Sequence, residues 1–462
     1  MQVNRFDRRT LLGAAALLTG FGLLRQSGLE RLVRAGRAAW PASAPGAGQR
    51  ALVCVFLKGG NDAFNLVAPY LGSAYQTYAQ SRQGLALPQE QLLPIEPLSA
   101  HAYDLAFHPS CPELAQLFDS GRLALVSNVG PLVEPVSKSA YLTGSAKLPG
   151  QLFSHADQQR QWQQPSAAWG APSGWGGLLT ESLLGGPAPG QLSACLSLAG
   201  QNVWQRGEWI APYAVSPAGV VSLSGFYGSL GQSRKAALEA IAGLASPRPL
   251  AQAYGDQQRQ AIEQGALLEA ALAAVPALAT PFPSDNPLAA QLAQVARLIA
   301  AGGQLGQQRQ VFYCELDGFD THADQAAVQP QLFARLSQAL FAFQTALEEL
   351  GLAAQVTTFT ASDFGRTLSS NGKGSDHGWG GHQLVLGSSV LGREIYGELP
   401  DLALGGAHDA GGGRLIPGIA VEQYAASLAR WFGLSEAGLS QLFPNLSSFA
   451  SNDLGFLPVP AA

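Results

Sequence analysis

Acidic and imidazole side chains are concentrated in residues 360–382, TASDFGRTLSSNGKGSDHGWGGH. The whole chain has 7 histidines, yet His377 and His382 both lie in this stretch, close to Asp363 and Asp376. Carboxylate and imidazole groups are ligands for hard and borderline metal ions. The segment therefore predicts part of a metal site, and a polar surface loop is the alternative.

A second short segment, DGFDTH, holds Asp317, Asp320 and His322. In an extended backbone Asp320 and His322 share one face, because side chains two residues apart point the same way. Such a loop is compatible with Zn²⁺, Mn²⁺ or Ca²⁺. The alternative is a polar turn in which an aspartate caps the following helix.

The elements that must position these groups are apolar runs without alternation, as expected for strands covered on both faces. They lie at residues 51–57, 123–130, 310–316 and 354–362. Helical patterns at 286–301 and 329–350 separate them, the second followed by Gly351 as a predicted C-cap. The alternation predicts an α/β fold, with a mainly parallel sheet sandwiched by helices.

Acids follow three of these predicted strands, at Asp62, Asp317 and Asp363. Ligands of open parallel sheets bind beyond the carboxyl ends of the strands. This joint placement favours a functional site over acids scattered through polar loops. Taken alone, Asp363 is either a ligand or a helix N-cap. The loop that follows Asp363 within residues 360–382 offers either His377 or His382 as a ligand. We favour His377, because Asp376 beside it can orient the imidazole.

Ser154 precedes a predicted helix within residues 152–164. A hydroxyl at a helix N-terminus lies in a field that favours an anionic substrate, and a neighbouring metal would lower its pKa. Ser154 is therefore either a nucleophile or a plain N-cap, with Asp157 at the third helical position. The adjacent His155 receives no role from adjacency alone.

Composition excludes several classes of protein. The 462 residues are 47% hydrophobic and 13% charged, which predicts a folded chain with a sizeable core. A net charge of −5 without a Lys/Arg run gives nucleic-acid binding no support.

The cysteines fall into two groups. Cys54 and Cys314 lie in apolar runs, which predicts buried thiols, whereas Cys111 and Cys195 could form a disulfide in an oxidising compartment.

The N-terminus has the pattern of an export signal. Arg8 and Arg9 precede an apolar run, and the DRRTLL string is typical of the twin-arginine route, which implies the twin-arginine export machinery as a partner. An ordinary secretory signal or a retained anchor is the alternative. We expect residues 1–44 to be removed, leaving a periplasmic or extracellular protein with no stable membrane span. Residues 45–462 are predicted to form a single domain, with 165–285 as an insertion or subdomain.

Several motifs together resemble one known family. They are the twin-arginine leader, FLKGGNDAFN, SNVGPLVEP, LFSHADQQRQWQ, ELDGFDTHADQ, TASDFGRT, DHGWGGH and RLIPGIAVEQYAASLARWFG. The chain is similar over nearly all of its mature length to the bacterial domain of unknown function 1501 family, whose members look like distant relatives of the alkaline phosphatase and sulfatase superfamily. That resemblance implies an α/β sandwich with metal at the C-terminal edge of the sheet.

The resemblance also implies roles for individual residues. It suggests Ser154 as the nucleophile, and as metal ligands Asp62, Asp317 or Asp320 with His322, Asp363, and a final histidine at His377 or His382. The superfamily usually has an Asp-His pair where this chain reads Asp363-Phe364. Phenylalanine cannot ligate a metal, so the site either holds one ion, or recruits His377 instead, or has lost catalysis.

Together with the metal-binding patterns, the resemblance implies an exported hydrolase of phosphate or sulfate esters that depends on a divalent ion, either zinc, manganese, calcium or magnesium. Its substrate would be a small-molecule or polymer-borne anionic ester. The alternative is a non-catalytic exported binding or assembly module that keeps the same fold. A metal-free serine hydrolase lacks a recognisable triad.

Overall fold

The computed structural model of the protein describes residues 48–166, 169–186, 191–220 and 228–459. The predicted export signal, residues 1–44, lies outside the described residues. The described residues divide into two compact units. The smaller contains residues 191–192, 220 and 228–270, and the larger contains the other described residues.

The strands and helices are numbered in chain order. The strands are β1 Arg50–Lys58, β2 Val67–Pro69, β3 Leu93–Pro94, β4 Leu105–Phe107, β5 Leu123–Gly130, β6 Cys195–Ser197, β7 Tyr213–Ala214, β8 Arg309–Asp317, β9 Val356–Ser362, β10 Arg366–Ser370, β11 Ser375–His377, β12 Gly381–Leu386, β13 Ile395–Tyr396 and β14 Ile419–Ala420. The α-helices are α1 Ala63–Leu66, α2 Gly72–Arg82, α3 Pro112–Asp119, α4 Lys138–Thr143, α5 His155–Gln163, α6 Trp175–Leu184, α7 Gly228–Ala242, α8 Pro249–Ala273, α9 Pro287–Ala300, α10 Gln325–Glu349, α11 Val421–Phe432 and α12 Glu436–Leu442.

The central sheet has the order β13-β5-β12-β9-β1-β8-β6-β7, with β14 beside β5. Strand β1 is parallel to both β8 and β9, and β12 is antiparallel to its two neighbours. Helices α3, α9 and α10 pack together against the sheet, and α6, α11 and α12 form another packed group. The predicted fold class, a mainly parallel sheet flanked by helices, is confirmed.

The apolar runs form the strands for the expected reason. Apart from its two end residues, β1 is completely buried, and so is all of β9. Such strands carry no polar face, because helices cover the sheet on both sides. The register pairs Lys58 with Asp317 and Leu57 with Ser362, so the carboxyl ends of β8, β1 and β9 lie side by side. This edge positions the site.

Helix boundaries also follow local chemistry. The side chain of Asn286 accepts hydrogen bonds from the first amides of α9, as an N-cap does. Helix α10 ends at Glu349, and Gly351 follows with a left-handed φ of 69°, the conformation predicted for it. Cys54, Cys111, Cys195 and Cys314 are all buried free thiols, so the structure does not contain the Cys111–Cys195 disulfide. No helix among the described residues is long and apolar enough to cross a membrane.

Candidate metal centre

Three side chains that are distant in sequence bring their donor atoms together beyond the β1, β8 and β9 strand ends. They are His155, Asp320 and His377, and one ligand atom from each lies within 4.8 Å of the other two. His155 begins α5, Asp320 follows β8, and His377 ends β11. Imidazole nitrogens with a carboxylate form a donor set for a divalent ion.

His322 extends this group. Its Nε2 lies 2.9 Å from Nε2 of His377 and 3.1 Å from Oδ1 of Asp320. Asp320 also lies close to the other two imidazoles, with its Oδ1 3.4 Å from His377 Nε2 and its Oδ2 3.5 Å from His155 Nε2. His322 therefore contacts Asp320 and His377 and is a fourth candidate ligand. These four residues are called the His/Asp cluster below.

An oxygen atom holds the second ring nitrogen of each histidine in the cluster. Nδ1 of His155 lies 2.6 Å from Asp363, and Nδ1 of His322 lies 3.0 Å from Asp376. Nδ1 of His377 lies 2.7 Å from the carbonyl oxygen of Phe153. Such outer contacts fix the tautomer and ring orientation of metal-binding histidines. They leave the three Nε2 atoms directed at Asp320.

Arg366 holds the one carboxylate of the cluster. Its side chain is fully buried, and its guanidinium donates to Asp320 at 2.9 Å and to the Gly59 carbonyl at 3.1 Å. Partial burial alone would raise the pKa of Asp320, but the hydrogen bond and charge of Arg366 outweigh it, so the pKa lies below its ordinary value. Asp320 is therefore kept ionised. Arg366 also ties the end of β1 to the β8 loop.

Glycines let the backbones approach closely here. A Cβ at Gly378 would lie 2.6 Å from the carbonyl oxygen of Gly365, so a side chain would force β11 away from β10. Gly60 has a φ of 90°, and its Cβ would lie 2.4 Å from the ring of Phe364. That ring packs on two imidazoles of the cluster, with centroids 4.8 Å from His155 and 4.5 Å from His377. Phe364 is thus a wall of the site and not a donor.

Asp363 occupies a different place from the one predicted. It is fully buried and accepts hydrogen bonds from Gly59 N at 3.1 Å and Gln159 Nε2 at 2.9 Å, in addition to its contact with His155. Its oxygens are occupied by these donors, so it supports a ligand from behind. The Asp363 side chain therefore has neither of the two predicted roles, direct ligand or helix N-cap, because its partners are Gly59, Gln159 and His155.

Asp62 and Asp317 also lie apart from the cluster. Asp62 Oδ2 accepts from Gln325 at 2.5 Å and forms a fully buried ion pair with Arg82. Asp317 has a side chain that is 71% exposed and lies 4.0 Å from Lys58 Nζ. The predicted ligands that the fold brings together are Asp320, His322 and His377.

His382 is buried in the interior of the sheet. Its ring meets Phe64 edge-on at 4.7 Å, and its Nδ1 accepts the Asn128 amide at 3.2 Å. Burial lowers the pKa of His382 from 6.5 to about 4. These contacts make it a packed core histidine, because it has no contact with the cluster among the described residues.

His382 gives a prediction about acid stability. The unfolded chain binds a proton at His382 below pH 6.5, whereas the folded chain resists it down to about 4. The free energy of unfolding should therefore fall as pH drops through this window, by at most about 3 kcal/mol from this residue. Urea unfolding at several pH values should show a flatter dependence for His382→Gln than for wild type or His408→Gln. An unchanged slope in His382→Gln would contradict the assignment.

Ser154 is next to the cluster in sequence and is held from both sides. The preceding residue, Phe153, accepts from His377, and the following residue is His155. Ser154 occupies the N-cap position of α5 but makes no side-chain capping bond, and its Oγ instead donates to Asp157 Oδ2 at 2.6 Å. Phe153 has a left-handed φ of 71°, a strained conformation for a non-glycine residue, as is common at functional sites.

Sequence reasoning assigned no role to His155. His155 is separated by 208 positions from Asp363, the residue that orients it, and no local pattern connects them. The signal that could have found His155 is its position at the start of a helix that follows a candidate nucleophile.

A mainly parallel sheet with a His/Asp cluster at its carboxyl edge defines the architecture. The chain belongs to the family described as "Protein of unknown function (DUF1501)", whose model matches residues 49–410. This confirms the resemblance drawn from the motifs. A comparison with curated proteins gives no match.

Solved structures that are similar in fold include sulfatases. The chain is 11% identical to Ps i-CgsB in complex with k-i-k-neocarrahexaose, covering 88% of this chain and 77% of that one, with a TM-score of 0.33. A Bacteroides thetaiotaomicron structure described with the metabolism of multiple glycosaminoglycans is 10% identical, with 86% and 74% covered and a TM-score of 0.34. The PsFucS1 sulfatase from Pseudoalteromonas sp. is 11% identical, with 81% and 67% covered and a TM-score of 0.27. Similarity at this level supports no inference about activity.

Proposed function

We propose that the protein is an exported, metal-dependent hydrolase of phosphate or sulfate esters. The observation that carries this proposal is the convergence of ligand atoms from His155, Asp320 and His377 within 4.8 Å. Ser154, the residue before His155, has a hydroxyl that does not cap its helix. Site residues for ester hydrolysis are a nucleophile, a base within hydrogen-bond reach and a stabiliser of negative charge. Each has a candidate here.

Ser154 is the proposed nucleophile. Its Oγ attacks the phosphorus or sulfur of the ester, forming a bond to that atom while the bond to the leaving alkoxide oxygen breaks. Asp157, 2.6 Å from Oγ, accepts the serine proton, and the leaving alkoxide takes a proton from solvent. Water then attacks the phosphorus or sulfur of the serine ester and loses a proton to solvent. The bond to Oγ breaks, Asp157 returns its proton to Oγ, and phosphate or sulfate is released.

The His/Asp cluster fits a divalent ion, since its ring nitrogens and carboxylate are common metal ligands. A bound ion would act as a Lewis acid that stabilises negative charge developing on the ester. Arg366 keeps Asp320 ionised and in place, and the Phe364 ring shields one side of the two imidazoles that it contacts. The side chains of His322 and Asp320 are 44% and 46% exposed, so the site is open to a small or polymer-borne substrate.

The test is turnover of aryl phosphate and aryl sulfate esters by protein loaded with Zn²⁺ or Mn²⁺. We expect Ser154→Ala to lower kcat by roughly a thousandfold or more, because Ser154 is the proposed nucleophile and alanine cannot form the covalent bond. Ser137→Ala is the matched control. Ser137 caps α4 by accepting from Ala140 N, so its loss costs about 1 kcal/mol of stability and leaves turnover unchanged.

Two results would contradict the proposal. If the Ser154→Ala variant were as active as wild type, Ser154 would not be the nucleophile. A wild-type protein that holds metal but turns over no ester across a broad panel would favour the alternative, a binding module that retains the fold.

A further inference from the structure

We infer that the His/Asp cluster takes a single borderline transition-metal ion of the Zn²⁺ class and rejects Ca²⁺ and Mg²⁺. The inference deepens the proposed function, on which its catalytic meaning rests, by naming the ion and the number of ions. It stands on contacts that can be tested without any substrate.

The oxygen atoms beside the three histidines determine their tautomers. Asp363, Asp376 and the Phe153 carbonyl are oxygen acceptors, so each neighbouring Nδ1 must carry the proton. A neutral ring then presents a bare lone pair at Nε2. The Nε2 atom of His155 is buried and lacks any hydrogen-bond partner.

The lone pairs and the carboxylate of the cluster favour a bound cation. Neutral rings would place the lone pairs of His322 and His377 against each other at 2.9 Å, beside the ionised carboxylate of Asp320. Unrelieved, this arrangement is repulsive, and a positive charge between the groups removes the repulsion. One cation bound by Nε2 of His155, His322 and His377 and by Asp320 satisfies all of them together.

The spacing of the donors fits such an ion. Four ligands at bonds of about 2.05 Å in tetrahedral geometry lie about 3.3 Å from one another. Nε2 of His322, His377 and His155 lies 3.1, 3.4 and 3.5 Å from the nearest carboxylate oxygen of Asp320, and Nε2 of His322 lies 2.9 Å from Nε2 of His377. His322 and His377 approach Oδ1 of Asp320 and His155 approaches Oδ2, so the carboxylate and His155 would have to adjust to share one ion.

The type of donor decides the class of ion. Ca²⁺ requires six to eight oxygen ligands and Mg²⁺ prefers oxygen with retained water, whereas imidazole suits Zn²⁺ and its neighbours. Asp320 is the one carboxylate of the cluster. The nearby acids are occupied, since Asp363 accepts from three donors and Asp62 is paired with the buried Arg82.

These assignments also fix the number of ions. A second ion would need a further set of oxygens, but the Arg82 guanidinium already supplies the positive charge beside Asp62. Asp317 is 71% exposed and lies near Lys58. Among the described residues the site is therefore mononuclear.

The experiment uses the full-length protein stripped with a chelator and titrated with Co²⁺, whose visible absorption reports nitrogen coordination and low coordination number. We expect one equivalent to bind with intense absorption, Zn²⁺ to displace it at equimolar concentration, and Ca²⁺ or Mg²⁺ to fail at about 100-fold excess. Asp320→Asn should weaken Co²⁺ binding at least tenfold, while Asp317→Asn, the matched control, should bind like wild type. Circular dichroism of both variants checks the fold.

Displacement of Co²⁺ by Ca²⁺, binding of two equivalents, or wild-type binding by Asp320→Asn would each overturn the inference. These outcomes are separable from failure of the proposed function. A protein that hydrolyses esters with Ca²⁺ would overturn the ion class and keep the hydrolase. A protein that binds one Zn²⁺ without turnover would do the reverse.

Discussion

Replacement of His155 by alanine is expected to lower the affinity for Zn²⁺ by more than about 100-fold. His155 supplies a buried Nε2 that has no protein partner, so its removal deletes one ligand and leaves Asp363 without the ring it holds. Loss of an outer partner alone costs about 10- to 100-fold, and loss of a ligand should cost more. Competition titration with a chromogenic chelator measures the affinity.

The control for this variant is His101→Ala. The His101 ring lies 2.8 Å from Glu394 and is not part of the cluster, so its removal should leave the affinity for Zn²⁺ unchanged. Asp363→Asn should lie between the two, about 10- to 100-fold weaker than wild type, because it orients His155 and does not itself bind. Wild-type affinity in His155→Ala would remove this histidine from the site.

Replacement of Arg82 by alanine is expected to destabilise the protein by about 3–5 kcal/mol. Arg82 and Asp62 form an ion pair in which both side chains are fully buried. Without the guanidinium, the Asp62 carboxylate is left in the interior with Gln325 as its donor and with an Oδ1 that has no partner. Urea or thermal unfolding of the wild type and the variant measures the loss.

Arg122→Ala is the matched control for this effect. Arg122 also pairs with an acid, Glu348, at 2.9 Å, but the side chains are 40% and 44% exposed. Solvent screens such a pair, so its loss should cost at most about 1 kcal/mol. Equal costs for the two variants would contradict the view that Asp62 belongs to a buried structural network.

The sequence predicted the sheet well because its signal is local. Four uninterrupted apolar runs became β1, β5, β8 and β9, and three of them lie side by side in the sheet. Since parallel neighbours end at one edge, the acids and histidines that follow them had to meet there. Asp320, His322 and His377 were therefore within reach of sequence reasoning.

The remaining assignments depend on tertiary contacts that leave no local trace. No local sequence pattern around Asp62 predicts its ion pair with Arg82. Likewise, Asp363 at the end of β9 has the position of a ligand, yet its partner is His155. An acid binds a metal directly or orients another ligand according to which hydrogen-bond donors lie beside its carboxylate. The tertiary fold determines those neighbours.

The Phe364 position shows the same limit. The resemblance made the missing histidine at this position a reason to doubt the site. In the structure, the Phe364 ring packs on His155 and His377, and recruitment of His377 is one of the alternatives given for the missing imidazole. A residue read as a loss thus forms part of the wall around the cluster.

The most direct test of the central claim is the metal content of the full-length protein, purified without chelator and measured by elemental analysis. We predict about one equivalent of a Zn²⁺-class ion per chain in wild type, and a content near zero in a variant that lacks His155, Asp320 and His377 together. Wild-type protein that holds no metal even after incubation with Zn²⁺, or a triple variant that retains a full equivalent, would contradict the account.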